Sequence, residues 1–143
     1  MAGKLTANIS KEIQAPAEQV WKALTDPELI KQYMFGTNTV SDWKKGSTIT
    51  YMGEWEGKQY KDSGTIVDIV PGKLLHTTYF SNLSGKEDIP ENYANVIYAL
   101  DDKGTKTILT ITQDNIENEE HLQHTEQNWN MILDTMKNML EKH

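Results

Sequence analysis

The sequence predicts an α+β domain in which a curved antiparallel sheet of about seven strands wraps around a long carboxy-terminal helix. Three observations carry this expectation. Strand-like segments rich in Thr, Val, Ile and aromatics run from Gly36 to Asp114. The gaps between them are too short for helical crossovers, so the strands pair antiparallel. The last 25 residues then return to helical periodicity.

The elements follow in order. Leu5, Ala7, Ile9, Lys11 and Ile13 alternate with Thr6, Asn8, Ser10 and Glu12, the period of a strand with one face toward a core. Ala15-Pro16-Ala17-Glu18 suits a helix start with proline in the first turn, and Val20, Trp21 and Leu24 recur at helical spacing. Asp26-Pro27 interrupts that helix. A second short one is expected over Pro27 to Tyr33, with Asp26 as its N-cap and Leu29, Ile30 and Tyr33 as its buried stripe. Strands are expected near 37–43, 47–55, 58–70, 73–81, 93–101 and 105–114. Lys45-Gly46, Glu56-Gly57, Pro71-Gly72, Ser84-Gly85 and Lys103-Gly104 punctuate them. Ser84 to Asn92 is the longest irregular segment and the expected mobile one.

The final helix should place Leu122, Trp129, Ile132, Leu133, Met136, Met139 and Leu140 on one face, with Asn118 as its cap. Glu119 and Glu120 at its start and Lys137 near its end have the signs the helix dipole favours. No linker, repeat or low-complexity stretch divides the chain, so residues 1–143 read as a single domain. One long helix cannot fill the concave side of a bent sheet. The space left between them is a natural position for a small-molecule cavity.

Composition removes several functions. The chain has 143 residues and a net charge of −7; all 14 cations are Lys, and there is no Arg. Without bidentate guanidinium groups on a basic surface, nucleic acid is not an expected partner. Cys is absent, which excludes disulfides, thiolate nucleophiles and Cys-ligated metals. No segment approaches the ~20 apolar residues of a membrane span, and the amino terminus carries no signal pattern, so the expected location is cytoplasmic.

Catalytic motifs are scarce. There is no G-x-G-x-x-G, phosphate loop or G-x-S-x-G, and no cofactor is implied. His121 and His124, with Glu117 and Glu120 nearby, have spacing that could suit a metal, but solvated helix-start side chains account for them better. His76 should point to the strand face opposite Leu75, Thr77 and Tyr79, as a solvent-facing histidine.

The aromatic residues are more informative. With four Trp and six Tyr against two Phe, nearly every ring has a polar tip that needs a partner when buried. Tyr51, Trp55, Tyr79, Tyr98 and Trp129 have the parity or helical phase to face the space under the long helix. Leu133 and Met136 are expected as its apolar wall. These seven residues either bind a ligand or pack as core and satisfy one another.

The string Ala15-Pro16-Ala17-Glu18-Gln19-Val20-Trp21-Lys22-Ala23-Leu24-Thr25-Asp26-Pro27-Glu28, with Gly64-Thr65-Ile66-Val67-Asp68-Ile69-Val70-Pro71-Gly72-Lys73-Leu74-Leu75, Gly104-Thr105-Lys106-Thr107 and the helix around Trp129, resembles the activators of the heat-shock protein 90 ATPase, AHSA-type carboxy-terminal domain. That family lies within the START-like (SRPBCC), birch-pollen-allergen-like helix-grip superfamily. The resemblance covers essentially the whole chain. It implies the helix-grip fold and a cavity beneath the long helix, whereas the superfamily's activities range from binding of lipids and hormones to cyclase and hydrolase chemistry.

Two departures stand out. A 143-residue chain has no room for the additional chaperone-binding domain of the eukaryotic co-chaperone, which argues against ATPase activation. Tyr33-Met34-Phe35-Gly36 and Lys44-Lys45-Gly46 replace a Trp and an Arg-containing Gly-Gly turn frequent in the family, so the pocket chemistry should differ.

The leading expectation is therefore non-catalytic binding of a small, largely apolar or neutral molecule or lipid. The alternative is a stress-linked module that contacts a chaperone. The third reading is an enzyme of the cyclase or hydrolase type using Tyr, His76 or Asp62 as acid or base.

Overall fold

The computed structural model describes residues 5–34, 36–55, 57–81 and 87–141, with Trp55 described by its backbone only. Alternation in the first segment produces β1 (Leu5–Ile13), with Ala7, Ile9 and Ile13 buried. Pro16 then closes the strand and stands at the N-cap of α1 (Ala17–Thr25), one place earlier than a first-turn position. The helix α2 (Pro27–Tyr33) starts as expected: Asp26 Oδ1 accepts from the Glu28 N–H at 3.0 Å. Ile30 and Tyr33 are buried and Leu29 is half-buried.

Six strands follow: β2 (Asn38–Ser41), β3 (Thr48–Trp55), β4 (Lys58–Val70), β5 (Leu74–Tyr79), β6 (Ala94–Asp102) and β7 (Thr107–Ile116). All pair antiparallel in the order β1-β7-β6-β5-β4-β3-β2, a meander closed by β1 against β7. β2 is shorter than the sequence pattern suggested. Trp43 takes a left-handed φ of 57°, and the Ser41 hydroxyl accepts its N–H, which turns the chain out of the strand. β7 runs two residues further than expected and ends beside Asn115, at φ 59°, whose amide donates to the Glu91 and Tyr93 carbonyls.

The expected irregular segment, 84–92, lies outside the described residues at 84–86. Of the remainder, Pro90–Asn92 forms a single 3-10 turn. The Ser84-Gly85 turn and Glu56 also fall outside the described residues.

The sheet bends sharply where β4 passes β5. The pairing slips between Ile66 and Asp68, and bulges of this kind bend a strand and increase its twist. Just before the slip the strands approach so closely that a Cβ on Gly64 would lie 1.8 Å from the Thr78 carbonyl oxygen. Only glycine fits there.

The last element is α3 (Glu119–Glu141), capped by Asn118, whose Oδ1 accepts the His121 N–H at 2.9 Å. Trp129, Ile132, Leu133, Met136 and Leu140 are buried, while Leu122 and Met139 pack more loosely at the rim. The helix lies chiefly along β1, with smaller contacts to α1, α2 and β7. Lys11 Nζ meets Asp134 Oδ1 at 2.6 Å, Lys137 donates to the Glu12 carbonyl, and Glu141 accepts the Gln14 N–H. Ile13, Ile66, Leu109, Ile111 and Leu133 are almost fully buried within one continuous core.

Gly64→Ala tests the bend. The added methyl must displace backbone rather than a flexible side chain, so urea denaturation should show a loss of about 2–3 kcal/mol.

Candidate functional site

Strand pairing brings the site together. Tyr51 on β3 lies directly opposite Asp62 on β4, which puts both side chains on one face. On β5 and β6, Thr77 pairs with Val96 and Leu75 with Tyr98, while Val96 in turn faces Gln113 on β7. These residues share the concave face with Tyr79. Above them α3 presents Thr125, Asn128, Trp129 and Ile132, spaced i, i+3, i+4 and i+7 along one face. Met34 and Thr37, just after α2, close one end.

Together these groups, apart from Leu75, which is buried in the core, surround a cavity of about 420 Å³. That volume lies in the range of small-molecule sites.

Four of the seven expected site residues meet here: Tyr51, Tyr79, Tyr98 and Trp129. The side chain of Trp55 lies outside the described residues. Leu133 and Met136 sit elsewhere. They are 0% and 1% exposed, within the packed core, and Ile132 supplies the helix's apolar contribution to the wall. For Leu133 the reason is helical phase, since one residue turns the side chain by about 100° from Ile132; Met136 keeps roughly the phase of Ile132 but lies one turn further along the helix, past the cavity.

The polar tips of the rings are engaged within the protein. Tyr79 donates to Asp62 Oδ2 at 2.7 Å, and Trp129 Nε1 donates to Gln113 Oε1 at 2.9 Å. The phenols of Tyr51 and Tyr98 are neighbours, each affecting the other's titration. Tyr98 stands edge-on to Trp129 at 5.9 Å and 83°, and Tyr51 is tilted against Tyr79 at 6.1 Å. Tyr33, whose hydroxyl donates to the Ala23 carbonyl, fixes α2 against α1 behind this cluster.

Burial pushes the Tyr98 and Tyr51 phenols above their ordinary range, Tyr51 also feeling the neighbouring Tyr98. Burial likewise raises Tyr79, and the adjacent Asp62 carboxylate adds to the effect. Burial is again the first cause for Tyr33. All four are neutral hydrogen-bonding groups at neutral pH, unsuited to serve as bases.

Asp62 is the one charged residue among the described lining residues. It is 8% exposed, and its Oδ1 has no hydrogen-bond partner. His76 lies on the opposite strand face from Leu75 and Thr77, with Nε2 2.9 Å from Asn95 Oδ1, and is not part of the wall. His121, His124, Glu117 and Glu120 line a separate surface groove at the start of α3, shared with Gln113 and Thr125. Among the described residues no three His, Asp or Glu side chains are grouped to hold a metal ion.

Sequence parity found the aromatic part of the wall but missed Thr37, Val96, Gln113 and Asn128. Val96 was recoverable, since it shares strand parity with Tyr98. Thr37 and Met34 reach the cavity only through the turn after α2, which leaves no periodic signal.

The sequence profile described as activator of Hsp90 ATPase homolog 1-like protein matches residues 14–141. The solution structure of ChR145 from Cytophaga hutchinsonii is 48% identical, covers 99% of this chain and 97% of its own, and superposes with a TM-score of 0.87. MLL2253 from Mesorhizobium loti is 20% identical, over 96% of this chain and 98% of that one, with a TM-score of 0.78. The Aha1 dimer from Colwellia psychrerythraea is 19% identical, over 96% and 97%, at 0.76. The last two share the fold. No curated protein matches the chain.

The raised phenols set an alkaline limit on stability. A group whose folded pKa exceeds its unfolded value of about 10 stabilises the protein fully below that pH. The contribution is lost as pH rises toward the folded value. Stability should therefore fall above about pH 10. In an alkaline titration the phenolate absorbance of Tyr33, Tyr51, Tyr79 and Tyr98 should emerge together with loss of the far-ultraviolet circular dichroism.

Proposed function

The chain belongs to the activator of Hsp90 ATPase homolog 1-like family, and from that premise we propose that it binds a small, largely apolar molecule or lipid, without catalysis, between its sheet and α3. The family suggests either ligand binding or a chaperone-linked module. The observation that favours the ligand is the cavity itself, walled by Tyr51, Tyr79, Tyr98, Trp129 and Ile132, with its phenol and indole tips tied to protein partners. Ring faces and apolar side chains therefore form most of the surface offered to a guest, and apolar contact supplies the affinity.

Catalysis is not favoured by the same wall. Among its described residues there is one carboxylate, Asp62, and no His or second carboxylate with which it would form an acid–base pair. The chaperone reading has its support in the family description and in the fold shared with the Colwellia Aha1 dimer. No helix of the described residues is long and apolar enough to cross a membrane.

Native mass spectrometry against a lipid and metabolite library is the direct test, and a retained adduct is expected. Ile132→Phe, which grows a wall residue into the cavity, should reduce adduct retention at least about tenfold while the fold persists. Leu133→Ala should do the reverse, costing about 3 kcal/mol in urea unfolding but leaving the adduct. Absence of any adduct, with chaperone ATPase rates altered by the intact chain, would move the assignment to the interaction module.

A further inference from the structure

Asp62 carries an unmet requirement that apolar binding alone does not explain. Its carboxylate borders the cavity and is more than nine-tenths buried, yet only Oδ2 has a donor, the Tyr79 hydroxyl. Oδ1 has none. A buried acceptor left without a donor costs on the order of 1–3 kcal/mol, and more when it is charged. No Lys stands among the described lining residues, and the chain has no Arg to place there.

The surroundings bear on which donor would fit. Tyr51 stands opposite Asp62 across the strand pair and Tyr79 meets the carboxylate with its hydroxyl, so two aromatic rings lie beside any cation held there, and aromatic rings attract cations. A net charge of −7 draws cations toward the protein and repels anions. A guest hydroxyl would satisfy one oxygen but leave the buried charge uncompensated, whereas an ammonium supplies both a donor and the opposite charge. A partial turn about its last side-chain bond, a soft torsion, would bring the carboxylate toward the cavity side at the expense of the Tyr79 bond, which an ammonium replaces with a stronger, charge-assisted one.

We propose that the cavity selects amphipathic amines, an apolar body seated against Met34, Val96, Ile132 and Trp129 with its protonated amine on Asp62 between Tyr51 and Tyr79. The selectivity rests on the ligand-binding role proposed above and narrows it from neutral guests to cationic ones. It also gives Asp62 a role that packing does not.

Four probes with one apolar body separate the two ideas: naphthylmethylamine, naphthylmethanol, the methyl ether of that alcohol, and naphthoate. Calorimetric titration of the intact chain should show the amine binding at least about tenfold tighter than the ether, with naphthoate weakest. Asp62→Asn should bring amine and ether within about threefold of each other. In the unaltered protein, nuclear Overhauser contacts should join the methylene beside the amine to the ring protons of Tyr51 and Tyr79. That measurement decides the matter even where the variant does not fold.

Equal binding of ether and amine, an amine preference that survives Asp62→Asn, or a head group placed away from both rings would each overturn the amine selectivity while leaving the cavity as a binding site. If none of the four probes binds, the ligand-binding role falls, and the selectivity with it.

Discussion

The seating of α3 along one side of the sheet is the constraint from which the rest of the molecule follows. Its carboxy-terminal half is driven down onto β1 and the short helices by Leu133, Met136 and Leu140, all nearly or fully buried. Fully burying side chains of this size is worth roughly 1.5–3 kcal/mol each, more than the exposed Lys11–Asp134 pair can supply. Those charges orient the helix rather than hold it. Because the anchor lies at one end and on one side, the amino-terminal half stands over the concave face of β3 to β6 without filling it. The bulge in β4 and the close approach at Gly64 deepen that concavity.

Open space beneath a helix would be unstable if it were lined with unsatisfied polar groups. Aromatic residues resolve this in part by pairing their tips internally: phenol to carboxylate, indole to amide. The cavity therefore keeps its shape without a ligand's hydrogen bonds, a form of preorganisation that reduces the entropic cost of binding. The raised phenol pKa values express the same enclosure, since burial is the first cause in every case. Among the described lining residues Asp62 Oδ1 is the one buried side-chain oxygen without a hydrogen-bond partner, and for that reason it is the most specific feature of the site.

Shared architecture across relatives of 19–20% identity shows how little of this depends on particular side chains. Alternation along strands, an amphipathic final helix and a few turn residues suffice for the fold. Specificity has to lie in the wall, where one residue of helical phase separates Ile132, in the cavity, from Leu133, in the core. Such a fold can serve many ligands.

Much of this was legible in the sequence because it is encoded locally. Alternation in Leu5–Ile13, the Asp26 and Asn118 caps and the stripe from Trp129 to Leu140 are patterns of neighbours, and each appears in the folded chain. Strand parity likewise brought Tyr51, Tyr79 and Tyr98 to one face. The short β2 was not legible, since it depends on the left-handed turn at Trp43. Nor were the contributions of Met34 and Thr37, which arrive from a turn with no period.

The sequence by itself determined the order and type of the elements, the antiparallel meander, the acidic Arg-free surface and the aromatic character of the inner face. Only the tertiary structure decided which side of α3 meets the sheet's core and which overlooks the cavity, and that Asp62 stands there with an unpaired oxygen. Periodicity records which residues are buried. It does not record what they are buried against, because that depends on where a helix is anchored and how far a sheet bends, and both arise from contacts between segments distant in the chain.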